Sequence, residues 1–92
     1  MLNIKTTYFL TKAGKLFFPH WFHKVILLTS QQDGFLSISC DLDALDNPVI
    51  YLEFENLEKL NTWSSCEQHE KLVSEIEKYY IQPQQTILAE NI

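Results

Sequence analysis

Phe35-Leu36-Ser37-Ile38-Ser39-Cys40-Asp41-Leu42 leads through Leu45-Asp46-Asn47-Pro48 into Val49-Ile50-Tyr51-Leu52-Glu53-Phe54-Glu55. Both flanking runs alternate apolar with polar residues, the period of a strand that buries one face. Leu36, Ile38, Cys40 and Leu42 point one way, and Phe35, Ser37, Ser39 and Asp41 the other. In the second run Ile50, Leu52 and Phe54 oppose Val49, Tyr51, Glu53 and Glu55. The connecting residues are turn formers, so the stretch is expected to be an antiparallel hairpin.

Upstream, residues Asn3 to Leu10 have strand composition, and Lys12-Ala13-Gly14 reads as a turn. From about Phe17 to Gln31 the pattern becomes helical, with Phe18, Phe22, Val25 and Thr29 on one face and Trp21 and Leu28 beside them. Pro19 is expected in the first helical turn, where a missing N–H costs nothing. Asp33-Gly34 closes this helix.

Downstream, Asn56 is a good helix N-cap, followed by Leu57, Leu60 and Trp63 at helical spacing. Ser64-Ser65 is expected to interrupt the helix, with Ser65 capping a second segment that carries Leu72, Ile76 and Tyr79. Pro83 is expected to open a last strand containing Thr86-Ile87-Leu88. The order β-α-β-β-α-β is the ferredoxin-like α+β pattern, a four-stranded antiparallel sheet with two helices on one face. One domain is expected to span residues 1–92.

Composition narrows the function. The 92 residues include twelve acids and seven lysines but no arginine, for a net charge of −5. Nucleic-acid binding is disfavoured, because phosphate neutralisation needs a basic patch. A basic membrane-surface helix is disfavoured by the same count. The apolar stretch from Leu16 to Leu28 contains Pro19, His20, His23 and Lys24, and is too short and polar to span a bilayer. The N-terminal residues lack a signal-peptide pattern, so a cytoplasmic protein is expected. Cys40 and Cys66 have no metal-site spacing and are expected to be reduced thiols. The apolar share, 46%, is generous for so short a chain and points to a subunit interface in addition to a core.

The stretch from Tyr51 to His69 resembles the antibiotic biosynthesis monooxygenase family of dimeric α/β barrels. Members often have a strand, a short helix ending in an aromatic, a serine-containing break, and a following helix with a histidine near its start; Trp63, Ser65 and His69 occupy those places. In the first half, Gly14, Phe18, Phe22 and Asp33-Gly34-Phe35 fit the same pattern. The resemblance implies a homodimer packed through its sheet faces and a ligand cleft between helices and sheet. It also implies oxygenation of phenolic or quinol-like substrates without metal or organic cofactor. Related barrels that degrade haem use a strand asparagine, a helix tryptophan and a later histidine. Those places fall near Thr6, on Trp63, and on Leu72 or Val73, so two of the three depart and haem degradation is disfavoured.

Within that frame His69 is the candidate base, since an imidazole near an apolar stripe can take a phenolic proton near neutral pH. The favoured reading of this single residue is structural, capping or bracing the Ser64-Ser65 helix break. Trp63 can form a wall for an aromatic ligand or simply pack. Trp21, His23 and Tyr8 are expected to edge the same cleft. His20 and His23 stand three apart, but no third ligand has recognisable spacing, so no metal site is expected. Tyr51 is expected on the outer sheet face, at the dimer interface. Cys40 is expected to behave as a small buried hydrophobe, and Cys66 to lie near a helix start. The alternative to an enzyme is a non-catalytic homodimer that binds a small hydrophobic ligand or serves as an interaction module.

Overall fold

The computed structural model describes residues 1–90. The chain runs β1 (Leu2–Leu10), α1 (Lys12–Thr29), β2 (Phe35–Leu42), β3 (Pro48–Phe54), α2 (Leu57–Ser64), α3 (Glu67–Glu77) and β4 (Tyr80–Glu90). The four strands form one antiparallel sheet in the order β2-β3-β1-β4. This is the ferredoxin-like arrangement, with the second helical layer split into α2 and α3 at Ser65-Cys66.

The hairpin forms as its alternation requires, with Ile38 opposite Leu52 and Cys40 opposite Ile50. Its entry differs. The register shifts between Phe35 and Ser37, leaving Leu36 44% exposed and packing Phe35 against the core. Phe35 lies edge-on to Phe54 with ring centroids 6.3 Å apart. A bulge of this kind moves a residue to the opposite face from the one its alternation assigns. At the turn, the Asp43 carboxylate accepts from the backbone N–H groups of Leu45 and Asn47 and from the Asn47 amide. Those bonds hold its pKa below the ordinary carboxylate value.

The first helix begins five residues earlier than its apolar pattern suggests. Thr11 caps it, accepting from the Gly14 N–H at 3.1 Å, so Lys12-Ala13-Gly14 is the first turn of α1 and not a separate turn. Pro19 therefore lies inside the helix instead of at its start. Gly14 is required here by close approach: a Cβ would lie 2.6 Å from the Tyr79 Cβ. At the far end Gly34 has φ +87°, a conformation that favours glycine, and leads into β2.

Asn56 caps α2 as expected, its side chain accepting from the Lys59 N–H at 2.9 Å. Ser65 does not cap α3. Its hydroxyl donates back to the Asn61 carbonyl at 2.7 Å, and the N-cap of α3 is Cys66, which makes no side-chain cap bond. The last strand starts at Tyr80, not at Pro83. Pro83 sits where the β1–β4 register is irregular, between the Phe9–Gln82 and Thr7–Gln85 pairs, on an edge strand that tolerates a missing donor.

The core lies between the helices and one sheet face, built on Tyr8, Leu10, Phe18, Trp21, Phe54 and Ile76 with Trp63 and Leu72. The other face carries Asn3, Lys5, Ser37, Ser39, Tyr51, Glu53, Ile87 and Ala89. On it Tyr51 is 43% exposed and Ile87 61% exposed, while the Ser37 hydroxyl donates to Glu53 at 2.6 Å. Among the described residues no helix is long and apolar enough to cross a membrane.

Candidate functional site

Tyr8, Trp21, Trp63 and His69 meet at a partly open cleft of about 70 Å³ between the helices and the sheet. Its floor comes from Ile38, Ile50 and Leu52, and Val25 and Thr29 of α1 face Leu72 and Val73 of α3 across it. Four of the five residues expected to edge a cleft are thus together. His23 is not among them: it is exposed on α1, as is His20. Among the described residues no group of three His, Cys, Asp or Glu side chains is placed to hold a metal ion.

His69 is half-buried and lies edge-on to Trp63, with ring centroids 5.3 Å apart at 81°. Burial lowers its pKa from the ordinary histidine value, against opposing effects of Glu70 and the Ser64 backbone. Burial thus favours the neutral imidazole, the form that accepts a proton.

Tyr8 is buried under an aromatic cluster, 5.7 Å from Phe18 and 5.5 Å from Trp21 between ring centroids. Desolvation, with smaller contributions from Tyr80 and Cys40, raises its pKa well above the ordinary phenol value, so it remains a neutral donor. Tyr80, 6.3 Å from Tyr8, is pushed up to about 12 by burial and by Glu77. Trp21 presents its ring to the cleft but not its donor. The indole Nε1–H is already given to the Leu72 carbonyl at 2.7 Å, tying α1 to α3. A second tie joins the same helices at the surface, Lys24 to Glu75 at 2.6 Å.

Two features of this helix–sheet layer were not expected from the sequence. One is Thr29, which lines the cleft with its hydroxyl unpaired among the described residues. Its signal was present, a polar residue in the apolar stripe Phe18, Phe22, Val25, Thr29. The other is a wider groove of about 630 Å³, between the start of α1 and the β2–β3 hairpin, lined by Phe18, Phe22, Cys40, Leu42 and Pro48 among others. Cys40 is exposed there and is not the buried hydrophobe its alternation suggests, because α1 does not cover that end of β2. Partial desolvation of its sulfur and the nearby Asp41 push its thiol pKa up, which favours the unreactive protonated form.

Comparison with solved structures decides the fold. An antibiotic biosynthesis monooxygenase superposes over 100% of this chain and 99% of its own, with a TM-score of 0.88 at 17% identity. The chain has the antibiotic biosynthesis monooxygenase fold. Rv0793 from Mycobacterium tuberculosis shares it, with a TM-score of 0.88 at 10% identity over 99% of this chain and 94% of its own. A conserved protein from Methanosarcina mazei Go1 gives a TM-score of 0.90 at 6% identity over 99% and 92%. No protein-family model matches the sequence, and no curated protein matches it. At such identities the likeness is one of architecture alone.

Proposed function

We propose that the helix–sheet cleft is an active site for cofactor-independent oxygenation of a small aromatic or quinol-like molecule. The observation that carries this reading is the placement of His69, half-buried and edge-on to Trp63 in an otherwise largely apolar cleft. His69 takes a proton from the acidic phenol, enol or activated methylene of the substrate. The resulting anion passes its electrons to dioxygen, forming a carbon-bound hydroperoxide. Returning the proton as the O–O bond breaks releases water and leaves a carbonyl, so a methylene and one dioxygen become a ketone and one water. Trp63 orients the ring, and the apolar floor excludes bulk water from the anion.

Purified protein supplied with a panel of quinols and anthrones should consume oxygen. His69→Gln should lower the rate by about 100-fold or more if the imidazole is the base. Equal rates for the two proteins would remove that role, and no uptake across the panel would count against the enzyme.

A second reading is favoured by the size of the cleft. At about 70 Å³ it is under half of the roughly 150 Å³ that holds benzene in a closed apolar cavity, so a single ring is held only in part, with the remainder at the open side of the cleft. That suits a non-catalytic site for a small hydrophobic ligand. In either case we propose a homodimer through the outer sheet face, supported by the exposed Tyr51 and Ile87 side chains there.

A further inference from the structure

Thr29 is 1% exposed, and its Oγ1 has no hydrogen-bond partner among the described residues. A helical threonine or serine usually turns its hydroxyl back onto a carbonyl three or four residues earlier. Thr62 does so in α2, donating to the Glu58 carbonyl at 3.1 Å, and Ser74 does so in α3, donating to the Lys71 carbonyl at 2.8 Å. Both of those residues are exposed and could have used water instead. Thr29 is cut off from bulk water, yet it lacks the local bond that its exposed counterparts make. Buried hydroxyls are rarely left this way, because desolvation without a partner is costly.

Thr29 lies on the wall of the same cleft as His69 and Tyr8, above a floor of Ile38, Ile50 and Leu52. The floor offers no side-chain polar group, so an oxygen entering the cleft meets polar groups only on its walls, where Thr29 stands with Tyr8 and His69. We infer that Thr29 anchors the bound molecule through its hydroxyl, and that the cleft takes a small molecule carrying a hydroxyl or carbonyl oxygen over a hydrocarbon of the same shape. The inference rests on the cleft being the ligand site and adds to it a recognition element and a chemical class. A molecule without the oxygen leaves the Thr29 hydroxyl unpaired inside the complex, the situation in which polar sites discriminate best.

The test uses phenol and toluene, titrated separately into the full chain and followed by NMR shifts of the cleft side chains. The wild type should bind phenol about tenfold more tightly than toluene, the effect of one net hydrogen bond. Thr29→Val keeps the shape and should reduce that preference several-fold, to what Tyr8 and His69 alone supply, while Thr29→Ser should retain it. A Thr29→Val protein that prefers phenol as strongly as the wild type overturns the inference, and phenol shifts at Tyr8 and His69 would then leave the cleft standing as the site. If neither probe shifts the cleft residues of the wild type, the cleft reading fails and the inference with it. Urea unfolding without ligand gives an independent check. Thr29→Val should unfold at the wild-type midpoint or higher, since no bond is lost. A lower midpoint would show that an ordered water already satisfies the hydroxyl, and would overturn the proposal.

Discussion

Replacing Trp21 with phenylalanine removes the bond that ties α1 to α3 while leaving a ring in the core. Two losses follow. The Nε1–H to Leu72 carbonyl bond, 2.7 Å long and buried, disappears; such a bond contributes about 1 kcal/mol net. The Leu72 carbonyl retains its place in the α3 ladder, so no large penalty for an orphaned acceptor is added. The smaller ring leaves a void of a few tens of Å³, which at about 24 cal/mol per Å³ contributes roughly 1 kcal/mol more. The sum is about 2 kcal/mol. With a urea dependence of about 1–2 kcal/mol per molar for a small domain, the midpoint should fall by roughly 1–2 M. The assay is urea unfolding at one fixed protein concentration, because any dimer makes the midpoint concentration-dependent. The His69 resonances should move as well, since α3 loses its anchor one turn after that residue. A midpoint within about 0.3 M of wild type, on the same urea dependence, would refute the idea that Trp21 is the brace between the two helices.

Other consequences follow from single residues. An NMR titration should place the His69 midpoint below 6.5, because burial disfavours the charged ring. Between that midpoint and the unfolded value the unfolded chain binds more protons. The His69 contribution to stability is therefore whole above about pH 6.5 and is lost as pH falls through the folded value; a midpoint above 6.5 would contradict the burial. Gly14→Ala should destabilise by about 1–3 kcal/mol in thermal or urea unfolding, since its Cβ meets the backbone-fixed Tyr79 Cβ at 2.6 Å. A gain in stability there would mean that α1 and the end of α3 separate easily. Ile87→Lys places a charge on the outer sheet face and should shift sedimentation from dimer to monomer; an unchanged dimer would move the interface elsewhere.

The fold was legible where one local signal spoke alone. Alternation through Phe35–Leu42 and Val49–Phe54 and the Asn56 cap placed the hairpin and the start of α2. It was obscured where a tertiary contact overrode the local pattern. Lys12-Ala13-Gly14 has the composition of a turn, and only the closeness of Tyr79 shows why a glycine sits inside a helix. Phe35 crosses to the core face through a bulge that strict alternation cannot express. In the cleft, Trp63 and His69 were singled out by the family resemblance and the apolar stripe of α3, and Tyr8 as a candidate donor; the structure brings the three side chains to one cleft. Thr29 was not singled out, because a threonine on an apolar stripe becomes informative only when its hydroxyl is seen to lack a partner. His23 shows the converse. Its neighbours Phe22 and Trp21 suggested the cleft edge, but the rotation of α1 turns it to solvent.

The most direct measurement is an aromatic-resolved NMR titration of the protein with hydroquinone. Saturable shifts at Tyr8, Trp63 and His69 are expected if the cleft is the ligand site. Shifts confined to the wider groove along Phe22, Leu42 and Pro48, or no saturable shift at all, would contradict it.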